Sequence, residues 1–213
     1  MTTTHYSAVE ELLHAISHGI GAVLSVIALV LMLLVSVPAG DNWHLASSII
    51  YGSSLILLYC SSTLYHSIHN IDIKRRLRQL DHAAIFILIA GTYTPFTLIN
   101  LRDSWGLWLF GLIWTVALAG VIIELATGLK YKKLSLGLYL GMGWLVILAI
   151  KPMLENVAAG GMWLLVAGGL SYSFGVIFYA WKRLFLHHAI WHLFVLAGSI
   201  LHFLSVYYYV LPV

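Results

Sequence analysis

Eleven histidines occur in a chain that is 61% hydrophobic and only 9% charged. An ionisable group inside a bilayer is costly unless it is paired, hydrated or coordinated, so each histidine needs a physical account. The stretch Ser62-Thr63-Leu64-Tyr65-His66 puts a hydroxyl and an imidazole one helical turn apart on one face. His188 and His192 are spaced in the same way, separated by about 6 Å along a helix axis. Asp81 stands beside His82 after a basic stretch. A paired set of histidines on one helix plus a third from another is how a helical scaffold builds a three-nitrogen zinc site. Zinc held in this way keeps a position for water and lowers its pKa to about 7. A neighbouring carboxylate such as Asp81 can orient that water or accept its proton. Ser62, Asp81, His66, His188 and His192 are therefore the candidate site residues, and zinc is the candidate cofactor.

The elements that must position them follow from hydropathy. Mean hydropathy is +0.94, and long apolar runs put the chain in the membrane class. That class excludes a soluble enzyme, a nucleic-acid-binding domain and a disulfide-stapled secreted module, the last also because Cys60 is the single cysteine. At about 20 residues per span, 213 residues hold at most roughly eight helices. The pattern predicts one all-α domain over 1–213, with spanning helices at 17–37, 43–65, 82–100, 105–126, 135–151, 160–181 and 188–210. Turn residues at Pro38-Ala39-Gly40-Asp41-Asn42 and Asn100-Leu101-Arg102-Asp103-Ser104 agree with these limits. Before the first span, Val9, Leu12, Leu13 and Ile16 recur at helical spacing with Glu10, Glu11 and His14 off that face. The segment reads either as a short interfacial helix or as a frayed start to the first span.

The cations set a direction. Lys74, Arg75, Arg76 and Arg78 fall between the second and third spans, Lys130, Lys132 and Lys133 between the fourth and fifth, and Lys182 and Arg183 between the sixth and seventh. Only Arg102 and Lys151 lie on the other side. By the positive-inside rule the N-terminus is cytoplasmic and the C-terminus outside. The helix ends bearing His66, Asp81, His188 and His192 then share the cytoplasmic leaflet.

Other cofactors fit less well. Retinal needs a lysine within a helix, and the seventh span has none. Two haems need paired histidines on two helices, and His66 has no such partner on its own helix, although a single haem between His66 and the seventh span stays open. Glycines Gly137, Gly141, Gly143, Gly160, Gly161, Gly168 and Gly169 read as packing positions. Gly91 and Pro95 read as a bend in the third span. Glu124 reads as a snorkelling or paired carboxylate near Lys130, His44 as interfacial, and His202 as a buried hydrogen-bonding residue.

Several of these motifs together resemble the hemolysin III family, the bacterial branch of the progestin and adiponectin receptor superfamily. The resemblance is carried by Glu11 with Ser17-His18-Gly19-Ile20-Gly21, by Ser62 to His66, and by Asp81-His82-Ala83-Ala84-Ile85. It continues through Ala90-Gly91-Thr92-Tyr93-Thr94-Pro95 and His188-Ala189-Ile190-Trp191-His192 to Gly198-Ser199 and His202-Phe203, so that it covers essentially the whole chain. It implies a seven-helix fold in the inner membrane, with zinc held by His66, His188 and His192 and reached by Asp81 through water. It also implies that Ser62 either supports a metal ligand from behind or positions the water. Where the receptors usually carry asparagine between Glu11 and His18, this chain has His14. Glu11 and His18 either hydrogen-bond near the site or cap the first helix, and capping is the preferred reading.

Three functions compete. The first is a zinc-dependent intramembrane hydrolase acting on a lipid amide or ester, similar to the ceramidases that the receptor branch resembles. The second is a non-enzymatic sensor or regulator of membrane lipid state, with zinc tying the second, third and seventh spans together. The third, a hemolysin-type cytolysin, is poorly supported, because short loops and apolar helices provide no soluble form and no polar-lined pore. In each case the partner is membrane lipid or a fatty-acyl substrate rather than nucleic acid. The sequence does not specify an oligomer.

Overall fold

The computed structural model describes residues 6–212, and local sequence explains where its helices begin and end. Helix α1 (Ala8–Ala39) opens with a capping box, in which Glu10 N–H donates to Ser7 Oγ at 3.2 Å and Ser7 N–H donates to Glu10 Oε2 at 2.9 Å. The segment before the first expected span is therefore continuous with that span, and the cap is Ser7 rather than Glu11 or His18. Pro38 and the left-handed Gly40 end it. Asp41 caps α2 (Asn42–Ser67). Asn70 caps α3 (Ile71–Pro95), its side chain accepting from the Asp72 and Ile73 N–H groups. The basic stretch Lys74–Arg78 is thus the first turns of α3, not a loop, and Asp81 lies within that helix rather than at its start.

Beyond Pro95 the chain passes through two π-helical turns, Phe96–Asn100 and Arg102–Gly106, into α4 (Leu107–Thr127). The helices α5 (Lys132–Gly143) and α6 (Ile150–Asn156) flank a 3-10 turn, Leu145–Ala149, and together form the fifth span. Helices α7 (Ala159–Ala180) and α8 (His187–Tyr209) complete seven segments long and apolar enough to cross a membrane. The described residues contain no strand. The fold is an all-α, seven-span bundle of an integral membrane protein.

The bundle is polar inside and apolar outside along much of α1. Val9, Leu12, Ile16, Val23 and Leu34 are exposed, whereas His14, His18, Ser25 and Ser36 are buried. This is the arrangement that lipid demands, since a lipid-facing stripe must be apolar and polar groups must find partners within the protein. Helix α1 packs on α2 and α8, α2 on α3, α3 on α4, and α7 on α8. Small residues set these approaches: a methyl added at Gly21 would run into the Tyr59 ring, and one at Gly168 into His202. Gly160 and Gly161 meet Tyr209 in the same way, but Gly137, Gly141 and Gly143 face open space. Packing therefore does not account for the glycines of α5.

Helix α5 is held by single polar contacts. Tyr139 donates to the His82 carbonyl at 2.9 Å. Where α5 breaks, the Tyr93 hydroxyl donates to the Met142 carbonyl and accepts from the Val146 N–H, each at 2.8 Å, so the interrupted backbone keeps its partners. Between α3, α5, α7 and α8 the bundle stays open as a cavity of about 210 Å³.

Candidate metal centre

Three helices deliver histidines to one end of the bundle, the end where the cations of α3 also lie. On α1, residues Glu11, His14 and His18 fall within one face, because three- and seven-residue steps nearly complete whole turns. Helix α2 ends with His66, and α8 begins with His187 and His188 and carries His192 one turn later. The chain enters α8 through Leu186 in the left-handed region, at φ 57°, a conformation that costs a non-glycine residue on the order of 1 kcal/mol. That turn sets the angle at which His188 meets α1 and α2.

The rings of His14, His66 and His188 converge. Each offers a nitrogen, and these nitrogens all lie within 4.8 Å of one another. His192 stands beside them, its ring centre 4.6 Å from that of His188 and 5.2 Å from that of His66. His18 stacks on His192 at 3.5 Å and is not a helix cap. Tyr6 covers the group, edge-on to His14 at 4.8 Å and stacked on His188 at 5.2 Å. Burial, and then the nearby Tyr65, push the Tyr6 phenol above its ordinary pKa, so it stays a neutral hydroxyl.

Hydrogen bonds fix how the rings present their nitrogens. The Glu11 carboxylate accepts from His66 Nδ1–H at 2.6 Å, and its other oxygen meets Lys74 Nζ at 3.0 Å. His66 Nε2 is then the bare nitrogen, and it is buried without a partner among the described residues. A carboxylate behind an imidazole is the usual support of a metal ligand, raising its basicity and locking its orientation. Both nitrogens of His14 and Nδ1 of His188 are likewise buried without a hydrogen bond among the described residues. Such orphaned groups each cost about 1–3 kcal/mol, a cost that coordination removes. The residues present fit a divalent metal, and the His14, His66 and His188 trio can hold one.

Of the residues expected from sequence, His66 and His188 belong to the converging trio, whose third member is His14 rather than His192, and His192 lies beside it. Asp81 and Ser62 line the neighbouring cavity with His18, His188 and His192, so His188 belongs to both the cluster and the cavity. Ser62 Oγ is buried without a partner among the described residues. Asp81 Oδ2 lies 3.5 Å from His82 Nδ1, which makes its shorter contact with the Arg78 carbonyl at 2.9 Å. His202 contacts the Leu165 carbonyl through Nε2 at 3.0 Å, as expected of a buried polar residue. His44 lies 2.7 Å from the Asp41 carboxylate at the far end of the bundle. Glu124 is not snorkelling: it is 1% exposed, and its Oε1 has no hydrogen bond among the described residues. Sequence reasoning left out His14 as a ligand and Glu11 as the partner of His66. The signal for both was their shared helical face with His18.

From the ring cluster, the cavity runs between apolar walls. Ile85, Leu88, Leu140 and Val166 line it, as do Met153 of α6 and Met162 in the first turn of α7. A seven-span membrane protein with a metal-competent histidine cluster opening onto an apolar cavity is the class that fold and site define. The chain belongs to the haemolysin-III-related family, whose model matches residues 6–203. It is 48% identical over 203 residues to a protein named Hemolysin-3 from Bacillus cereus, covering 95% of this chain and 93% of that one. A Hemolysin-3 homolog of Bacillus subtilis (strain 168) is 45% identical over 204 residues, covering 96% of each. The human monocyte to macrophage differentiation factor is 31% identical over 207 residues, covering 92% of this chain and 84% of that protein. This mammalian relative fits the wider progestin and adiponectin receptor superfamily.

Proposed function

We propose that the protein is a zinc-dependent intramembrane hydrolase that cleaves a lipid amide or ester. It is seated in the inner (plasma) membrane with its basic end and N-terminus facing the cytoplasm. The observation that supports this most is that His188, His192, Asp81 and Ser62 share the wall of one long apolar cavity. In this reading His66, His188 and His192 hold the metal and Asp81 reaches it through water. A zinc ion bound there supplies a Lewis acid for the scissile carbonyl and lowers the pKa of an adjacent water to about 7.

The chain's own residues do the rest. Ile85, Leu88, Leu140 and Val166 bind the acyl chain and exclude water, fixing the depth at which the carbonyl rests. The Asp81 carboxylate takes the proton of the attacking water and returns it to the leaving nitrogen or oxygen. Ser62 has no acceptor for its hydroxyl hydrogen among the described residues, so it can donate to the oxygen on which charge develops. Glu11 keeps the His66 ring in place throughout. Purified zinc-loaded protein given a panel of lipid amides and esters is expected to release fatty acid. Asp81→Asn should abolish the release while the metal stays bound. Release that persists undiminished in both Asp81→Asn and His188→Ala rules the proposal out.

A second reading has its own support. The trio His14, His66 and His188 joins α1, α2 and α8, so a metal there would clamp three helices without any chemistry. A non-enzymatic sensor or regulator of lipid state is then expected. Removing the metal would lower the melting temperature, and no lipid in the panel would turn over.

A further inference from the structure

The spacing of four rings carries an inference beyond the three-ligand site, and it rests on the reading that a metal binds this cluster. The ring centres of His14, His66, His188 and His192 define six separations. They are 4.7 Å for His14–His66, 4.8 Å for His14–His188, 5.2 Å for His14–His192, 5.4 Å for His66–His188, 5.2 Å for His66–His192 and 4.6 Å for His188–His192. Four points with six nearly equal separations form a tetrahedron; within it the nitrogens of His14, His66 and His188 lie within 4.8 Å of one another, and His192 is placed by its ring centre. With zinc–nitrogen bonds of about 2.0–2.1 Å and ring centres roughly 1.1 Å further out, four tetrahedral imidazoles have centres about 5.2 Å apart. In a square arrangement two of the separations would stretch to about 6.4 Å on the same bond lengths, and none does. We infer that His14 supplies a fourth imidazole, so that the resting metal centre is a closed four-histidine site.

The protonation pattern agrees. Ser17 donates its hydroxyl hydrogen to the His14 carbonyl at 2.9 Å. Its oxygen, 3.1 Å from His192 Nδ1, therefore accepts from that nitrogen and leaves His192 Nε2 bare. His66 Nε2 is bare for the same kind of reason, with Glu11 holding Nδ1–H. His14 is fully buried, and neither of its nitrogens has a hydrogen bond among the described residues. A single helical turn of α1 thus provides a ligand in His14 and, through Ser17, the tautomer of another.

The consequence is regulatory. His14 fills the position that a hydrolytic zinc leaves to water. Only movement of the first turns of α1, which carry His14 beneath Tyr6, would free that position for chemistry. His14 is thereby a gating ligand rather than a catalytic residue.

X-ray absorption on the zinc-loaded full chain, compared with His14→Asn, tests this without any turnover assay. Four imidazoles per zinc are expected in the wild type, and three plus one oxygen in the variant. Zinc loss to a competing chelator should be at least tenfold faster or more complete in the variant. Three imidazoles in the wild type overturn the inference, whether or not the variant folds, and leave the three-ligand site standing. A wild-type protein that binds no zinc overturns both.

Discussion

Removing the carboxylate behind His66 is the most informative perturbation of the site. Glu11 Oε2 lies 2.6 Å from His66 Nδ1, and Glu11 Oε1 lies 3.0 Å from Lys74 Nζ. Partners of this kind are worth roughly 10–100-fold in metal affinity, or about 1.4–2.8 kcal/mol at 1.4 kcal/mol per decade. Glu11→Gln retains a carbonyl able to accept the Nδ1 proton but loses the charge, so a drop of about tenfold is expected. Glu11→Ala removes the acceptor as well and should approach a hundredfold, the upper end of that range. The Lys74 pair contributes little of this, because both side chains are partly exposed and such pairs are worth under about 1 kcal/mol. Lys74→Met should therefore shift affinity by no more than about fivefold. The assay is competition with a fluorescent zinc chelator in detergent, for the wild type and the three variants. Glu11→Gln and Glu11→Ala with affinities indistinguishable from wild type would refute the assignment of His66 as a supported ligand.

Other outcomes follow from the same geometry. Gly21→Ala should destabilise the bundle by about 1–3 kcal/mol, the usual cost of overpacking, because the added methyl runs into the Tyr59 ring. Gly137→Ala, which meets nothing within 4 Å, should leave the detergent melting temperature unchanged or slightly raised. Ser62→Ala is expected to retain the metal and lose hydrolytic rate by about a hundredfold to a thousandfold, as when an oxyanion donor is removed; equal loss of zinc would instead make Ser62 structural. At the opposite end of the bundle, contact with His44 and the Trp43 N–H lowers the Asp41 pKa. A depressed carboxylate stabilises above its unfolded pKa and loses that contribution as pH falls through its folded value. Amide protection at the start of α2, taken relative to the intrinsic exchange rate at each pH, should thus be full above the ordinary aspartate range and fall as pH drops below it, and Asp41→Asn should lose this pH dependence.

Much of the architecture was legible because hydropathy reports directly on what lipid permits. The seven spans follow from it. The limits of α3 were not legible in this way: Asn70 starts the helix, and its first turns carry Lys74, Arg75, Arg76 and Arg78, which an apolar window reads as a loop. His66, His188 and His192 were legible as spaced pairs at helix ends. What spacing lacks is the direction in which each face turns. Val9, Leu12 and Ile16 formed the conspicuous stripe on α1, but that stripe faces outward and the opposite face enters the protein. A soluble-protein reading of amphipathicity therefore assigns His14 and Glu11 to the surface, whereas in a membrane bundle the polar side is the interior one. Glu124 was misjudged for a related reason, since proximity to Lys130 in sequence does not place the two side chains together.

The central claim is that buried imidazoles from α1, α2 and α8 meet around one divalent metal ion. Elemental analysis of the purified protein, wild type beside His66→Ala, addresses it most directly. We expect close to one equivalent of zinc per chain in the wild type and a near-complete loss in the variant. Wild-type protein without metal after zinc loading, or equal metal in both, would contradict it.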